Sequence, residues 1–170
     1  MKSLFGLVTS VAMMSCVSLS AQGFELYEEK FYAGGGLAFN SFDSGGYDGA
    51  LGYQFFAGYD LSDDVQIVDK VGLSTELGYA NSGNFKIKKC PAGFICDNSL
   101  GGLWVNAVFD YAIDGKVSAI GRAGFDFGED DGLMLGIGAG YKIDNKLSAR
   151  VEYVIRDHYS SMQANVVYDF

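Results

Sequence analysis

Eight segments of about ten residues repeat one pattern, in which every second side chain is apolar. They run over residues 31–40, 51–60, 71–80, 103–113, 117–127, 133–143, 147–156 and 161–170. Residues two apart share a face of a strand. One face carries, among others, Leu37, Phe39, Leu51, Phe55, Leu77, Val105, Phe125, Leu135, Ile137, Val151 and Val166. No position on this face is charged in any segment, although charged residues make up 19% of the chain. The other face holds Asp60, Glu76, Asp110, Arg122, Asp126, Lys142, Arg150, Glu152, Arg156 and Asp169, together with most of the strand glycines. A soluble barrel would bury the apolar face and show the charged one. That many ions cannot fill a water-free core, since each unpaired buried charge costs several kcal/mol. An apolar exterior around a lumen of small and paired charged residues is the pattern of a barrel in lipid. Strands of about ten residues cross a bilayer at a tilt. Closure leaves no unpaired edge in hydrocarbon. The chain therefore reads as all-β, an eight-stranded antiparallel transmembrane β-barrel.

Composition agrees. Glycine is 24 of 170 residues and proline is 1. Interior glycines, each costing about 1 kcal/mol in a helix, argue against a helical bundle. Aromatic residues at 15% exclude a disordered chain. A net charge of -9 argues against nucleic acid as a partner. Tight turns are expected at Asp114-Gly115-Lys116 and Asp144-Asn145-Lys146, with a longer link over 61–70. They alternate with polar loops at 41–50, 81–102, 128–132 and 157–160, the usual asymmetry of short periplasmic turns and longer external loops. Tyr59, Tyr111, Tyr141, Tyr168 and Phe31 fall where a periplasmic aromatic girdle is expected.

The first residues read as an address. Lys2 precedes an apolar run from Leu4 to Met14, and Leu19-Ser20-Ala21 offers a cleavage site. This predicts a secretory signal peptide over 1–21 and a mature domain over 22–170. Cys16 raises a lipoprotein signal as an alternative, but Ala12-Met13-Met14-Ser15 matches a lipobox poorly. Two cysteines are left after cleavage, Cys90 and Cys96. In an exported chain such a pair reads as a disulfide. No histidine or further cysteine stands near them to suggest a metal site.

The chain resembles the small outer-membrane β-barrel family of Gram-negative bacteria, the group of the OmpA transmembrane domain and OmpX. The carrying features are Ser74-Thr75-Glu76-Leu77-Gly78-Tyr79, Gly121-Arg122-Ala123-Gly124-Phe125, the stretch LGIGAGY over 135–141, Ala149-Arg150-Val151-Glu152-Tyr153 and the terminal Val166-Val167-Tyr168-Asp169-Phe170. The resemblance implies an outer-membrane location. It also implies that Tyr168 and Phe170 form the assembly signal read by the barrel assembly machinery. A "porin family" label would further suggest a narrow ion-conducting pore. Against that, an eight-stranded barrel is wide enough only for side chains or one small ligand.

Three groups of residues are candidates for function. Glu76, Asp110, Arg122, Arg150 and Glu152 read as an interior charge network. His158-Tyr159-Ser160 resembles the His-x-Ser motif of outer-membrane lipid A deacylases, with His158 as base and Ser160 as nucleophile. That family needs a downstream Glu to orient the histidine, and none follows here, so the acyl hydrolase is the weakest reading. Asp43, Asp48, Glu129, Asp130 and Asp131 read as solvated surface, without the ordered oxygen ligands of a calcium loop. The 81–102 loop carries Lys86, Lys88 and Lys89 against the single acid Asp97, with Phe94 and Ile95 as an apolar tip. On an acidic chain this is a local positive patch. The expectation is a non-enzymatic protein with no cofactor and no metal. Its role is structural and adhesive through external loops. Its partners are outer-membrane lipids, lipopolysaccharide, the assembly machinery and a surface ligand at the 81–102 loop.

Overall fold

The computed structural model describes residues 30–42, 47–63, 70–86 and 97–170. The expected leader, Cys90, Cys96, Lys88, Lys89, Phe94 and Ile95 lie outside the described residues. Ten strands follow in order: β1 (Phe31–Phe42), β2 (Ala50–Asp60), β3 (Val71–Asn81), β4 (Phe85–Lys86), β5 (Asp97–Asn98), β6 (Gly101–Ala112), β7 (Val117–Gly128), β8 (Gly132–Lys142), β9 (Leu147–Ile155) and β10 (Tyr159–Asp169). Eight of them close a barrel in the order β1-β10-β9-β8-β7-β6-β3-β2. Every neighbouring pair is antiparallel, and β1 pairs with β10 from Tyr32↔Asp169 to Phe42↔Tyr159. No sheet edge is left open within the barrel, as hydrocarbon requires.

The period-two pattern places the faces as the charges demand. Leu51, Phe55, Leu77, Phe125 and Ile137 are exposed on the outside. Glu76, Arg122, Asp126, Glu152 and Arg156 are buried inside. The two short inner turns use one device. Asp114 Oδ1 accepts from the backbone N–H groups of Lys116 and Val117 at 2.7 and 2.8 Å. Asp144 Oδ1 does the same for Lys146 and Leu147 at 2.8 and 2.9 Å. An aspartate bonding the backbone ahead of it is a turn-former in its own right. The same bonds, Lys116 first, hold the Asp114 carboxyl below its ordinary range. Lys116 and Lys146 then lie over the Tyr141 and Tyr168 rings, which are exposed at this end. Lysines reaching over tyrosines are a common anchor at a membrane interface.

Two expectations are corrected. Tyr59 keeps the outward phase opposite Phe31, whose ring stands edge-on to it at 4.9 Å, but it is buried rather than exposed. The external 81–102 stretch is not loop throughout. β4 and β5 form a two-stranded stem, with Phe85↔Asn98 and Lys86↔Asp97 paired. The stem exists because Phe85 is fully buried with Ala50 and Tyr159, against Phe42, Tyr47 and Leu100.

The lumen is packed by pairing large side chains with glycine. Tyr32 faces Gly58 across β1 and β2, Phe56 faces Gly34, and Trp104 faces Gly78 across β3 and β6. A Cβ at Gly58 would meet the Tyr32 ring at 2.1 Å, and one at Gly78 the Trp104 ring at 2.4 Å. Arg122 opposes Gly136 and Glu152 opposes Gly138 in the same way. Bulky inward groups fit so narrow a tube because one adjacent strand has no side chain at the paired position.

Candidate functional site

The polar side chains at mid-barrel form one connected network. Arg122 on β7 donates from Nε and Nη2 to Glu152 on β9, at 2.6–3.0 Å. Its Nη2 also stands 3.4 Å from Glu76 Oε2 on β3. Arg150 Nη1 donates to Glu76 Oε1 at 2.6 Å, and the Tyr32 hydroxyl donates to the same oxygen at 3.0 Å. Asn165 Nδ2 donates to Glu152 Oε2 at 3.2 Å. Gln54 Nε2 carries the network on to Gln163 and Asn165, at 2.8 and 2.9 Å. Two arginines balance two glutamates, and Arg122 and Arg150 lie over the rings of Trp104 and Tyr32. Asp110 stands apart from this cluster and accepts from Ser118 Oγ at 2.9 Å near the inner mouth.

Above and below the network the lumen differs. Two adjoining hollows of about 380 and 350 Å³ lie at the inner end, both lined by Asp60, Asp110, Ala112, Arg150 and Asp169. Towards the outer end two gaps measure about 0 and 10 Å³. There Arg156 pairs with Asp126, Asn40 Nδ2 donates to the Ser82 carbonyl at 2.7 Å, and Ser161 Oγ donates to Asn40 Oδ1 at 2.5 Å. The outer half is filled by side chains.

The outer rim carries two features. One is the β4–β5 stem, whose Lys86 is exposed and whose Phe85 is clamped under the rings of Phe42 and Tyr159, at 5.2 and 6.0 Å. The other joins two neighbouring links. His158 Nδ1 lies 2.6 Å from Asp130 Oδ1 and 3.6 Å from Asp157 Oδ2. The His158 backbone N–H donates to the same Asp130 oxygen at 3.2 Å. The hydrogen bond to Asp130, then the charges of Asp130, Asp157 and Asp131, raises the imidazole pKa from its ordinary value. Asp130 is thus no solvated surface acid, being 7% exposed. It lies upstream of His158 in sequence and was missed because only antiparallel pairing of β7, β8 and β9 makes their outer links neighbours. No hydrogen bond joins His158 to Ser160 among the described residues.

A closed eight-stranded barrel with an apolar belt, a lumen of paired charges and short inner turns is an integral outer-membrane barrel. The sequence matches the outer membrane protein beta-barrel domain family over residues 9–170, and the chain belongs to that family. Its location is the outer membrane. No curated protein matches the sequence. Solved structures share the fold. The attachment invasion locus protein Ail of Yersinia pestis, in complex with the heparin analogue sucrose octasulfate, is 16% identical with a TM-score of 0.56. That match covers 82% of this chain and 97% of Ail. Neisserial surface protein A is 19% identical with a TM-score of 0.56, over 83% of this chain and 97% of that one. A de novo designed transmembrane β-barrel is 17% identical with a TM-score of 0.55, over 86% of this chain and all of the design.

Proposed function

We propose that this barrel is a non-enzymatic membrane scaffold that presents the 81–102 loop to polyanionic glycans at the cell surface. The observation that carries the reading is the β4–β5 stem: the base of the one lysine-rich loop is fixed to the barrel through Phe85, with Lys86 exposed beside it. A loop anchored at its base loses less entropy on binding. A Cys90–Cys96 disulfide would constrain its tip further, and Lys88, Lys89, Phe94 and Ile95 would complete the contact surface. The ligand chemistry is clustered phosphate or sulfate on sugar, as in lipopolysaccharide or a sulfated glycan. Ail holds a sulfated sugar in its solved complex, which is consistent with such chemistry on this fold.

The filled lumen supports a scaffold over a pore. Glu76, Arg122, Arg150 and Glu152 pair across the middle, and two gaps towards the outer end hold only about 0 and 10 Å³. The acyl hydrolase reading has no Ser160–His158 contact to rest on. Export by a leader over 1–21 and assembly through Tyr168 and Phe170 complete the proposal. The test is binding of refolded protein to immobilised heparin and to lipopolysaccharide at rising salt. Changing Lys86, Lys88 and Lys89 to Gln should weaken both the binding and its salt dependence, without altering heat-modifiable migration. Unchanged binding by that variant removes the loop from the function.

A further inference from the structure

We propose that Asp130, Asp157 and His158 form a site for a divalent transition-metal cation on the outer rim of the barrel. Asp130 stands in the β7–β8 link, and Asp157 and His158 stand in the β9–β10 link. One ligand atom from each lies within 4.8 Å of the others. Two carboxylates and an imidazole suit zinc and its neighbours in the first transition row.

The geometry needs little adjustment. A tetrahedral ion with bonds of about 2.1 Å sets its ligand atoms about 3.4 Å apart. The Nδ1 of His158 is 2.6 Å from the Asp130 carboxylate and 3.6 Å from the Asp157 carboxylate. The two carboxylates lie within 4.8 Å of each other, so opening the first gap and drawing Asp157 towards the other two admits the ion. Asp157 and His158 are exposed enough to move, whereas Asp130 is held.

A second observation is the other oxygen of Asp130, one of several buried polar atoms without a hydrogen-bond partner among the described residues. Its side chain is 7% exposed, and Oδ2 has no hydrogen-bond partner. A buried carboxylate oxygen without a partner is costly. Arg156, which lines the same small gap as Asp130, is already paired with Asp126. Glu129 is engaged by the Gly101 N–H, and Asp131 adds a further negative charge to the field at His158. The site is therefore strongly negative and contains no free cation of its own among the described residues. A bound cation offsets that charge and ties two adjacent outer links together. Binding at Nδ1 sends any proton on that nitrogen to water and leaves one on Nε2. Three protein ligands leave a fourth coordination position facing solvent.

The experiment uses the full mature barrel, refolded in detergent with Cys90 and Cys96 oxidised, and cobalt(II) as a spectroscopic probe, with zinc as competitor. The expected result is one cobalt per chain, with visible ligand-field bands that zinc abolishes and no thiolate charge-transfer absorption. His158→Ala should lose the bands, and Asp157→Asn should bind at least an order of magnitude more weakly. Both should keep heat-modifiable migration. In nitrogen-15 spectra of the intact protein, zinc should shift His158 Nδ1 and leave the proton on Nε2. Equal cobalt binding by His158→Ala, thiolate absorption, or an imidazole spectrum unmoved by zinc would each overturn the proposal. The last outcome would leave the His158–Asp130 hydrogen bond alone at the rim.

Discussion

Arg122 grips Glu152 through three hydrogen bonds, and both side chains are 1% exposed. The pair sits inside a tube whose outside is hydrocarbon, so neither charge has water to fall back on. Removing one partner of such a pair leaves the other buried and uncompensated. Arg122→Met should therefore cost about 3–5 kcal/mol. Glu76 and Glu152 would then share Arg150 alone. Unfolding by urea in lipid vesicles measures the loss. Adding Glu152→Gln to Arg122→Met should recover much of it. A loss below about 1 kcal/mol, the range of exposed pairs, would mean that water reaches the network.

The belt is tested from the other side of the wall. Ile137 on β8 is 71% exposed, and Val105 on β6 shares the outward phase. Both stand near the centre of their strands. An arginine at the bilayer midplane of such a barrel costs about 2–4 kcal/mol. Ile137→Arg and Val105→Arg should each fall in that range in vesicle folding titrations. Equal stability of either variant would place its position outside the midplane.

Gly78 and Trp104 face each other across β3 and β6, with the indole lying where a Cβ at Gly78 would be. Gly78→Ala must displace the ring, which is fully buried. Overpacking of this kind costs about 1–3 kcal/mol. Trp104 is the single tryptophan, so its fluorescence reports the displacement directly. An unchanged emission spectrum with unchanged stability would show that the wall yields instead.

The glycines show how far the sequence could be read. Alternation places Gly58, Gly78, Gly136 and Gly138 on the inward face, because residues two apart share a side. Which side chain each one accommodates depends on register between strands, and no single strand encodes that. Tyr32 over Gly58 becomes visible only once β1 and β2 are aligned. Strand ends were legible to within a few residues, since Asp114 and Asp144 announce their turns. The β4–β5 stem was not, because two-residue strands carry no period, and Phe85 reads as one aromatic residue in a polar loop. His158 was legible as the lone histidine, while its partner Asp130 comes from a link 28 residues earlier.

Phe170 adds one hydrogen bond beyond the β1–β10 ladder. The Phe170 N–H donates to the Phe31 carbonyl at 3.1 Å, and its ring meets Tyr168 at 5.6 Å. That contact is small beside the full β1–β10 ladder, so deleting Phe170 should barely change refolding in detergent. Outer-membrane levels in cells should fall sharply if Tyr168 and Phe170 serve as the assembly signal. Equal levels of truncated and intact protein would remove that role.

Phe85 tests whether the outer stem is a separate unit or part of the barrel. Its ring is fully buried, packed against Phe42 and Tyr159, yet β4 and β5 share only two residue pairs and stand outside the closed sheet. Truncating a buried phenylalanine costs about 3–5 kcal/mol where the structure cannot collapse into the space. Here the loss should fall on local opening of the stem, because the eight-stranded ladder does not pass through it. Phe85→Ala should therefore make the 82–100 stretch far more sensitive to protease while the urea midpoint of the barrel stays nearly constant. Binding to heparin should weaken as well, since the lysine loop would lose its fixed base while keeping all of its charges. That separates position from charge: the Lys→Gln variant removes the attraction, and Phe85→Ala removes the ordering. A fall in the barrel midpoint with no gain in cleavage would make the Phe85 cluster part of the barrel core, and the loop would then owe its order to other contacts.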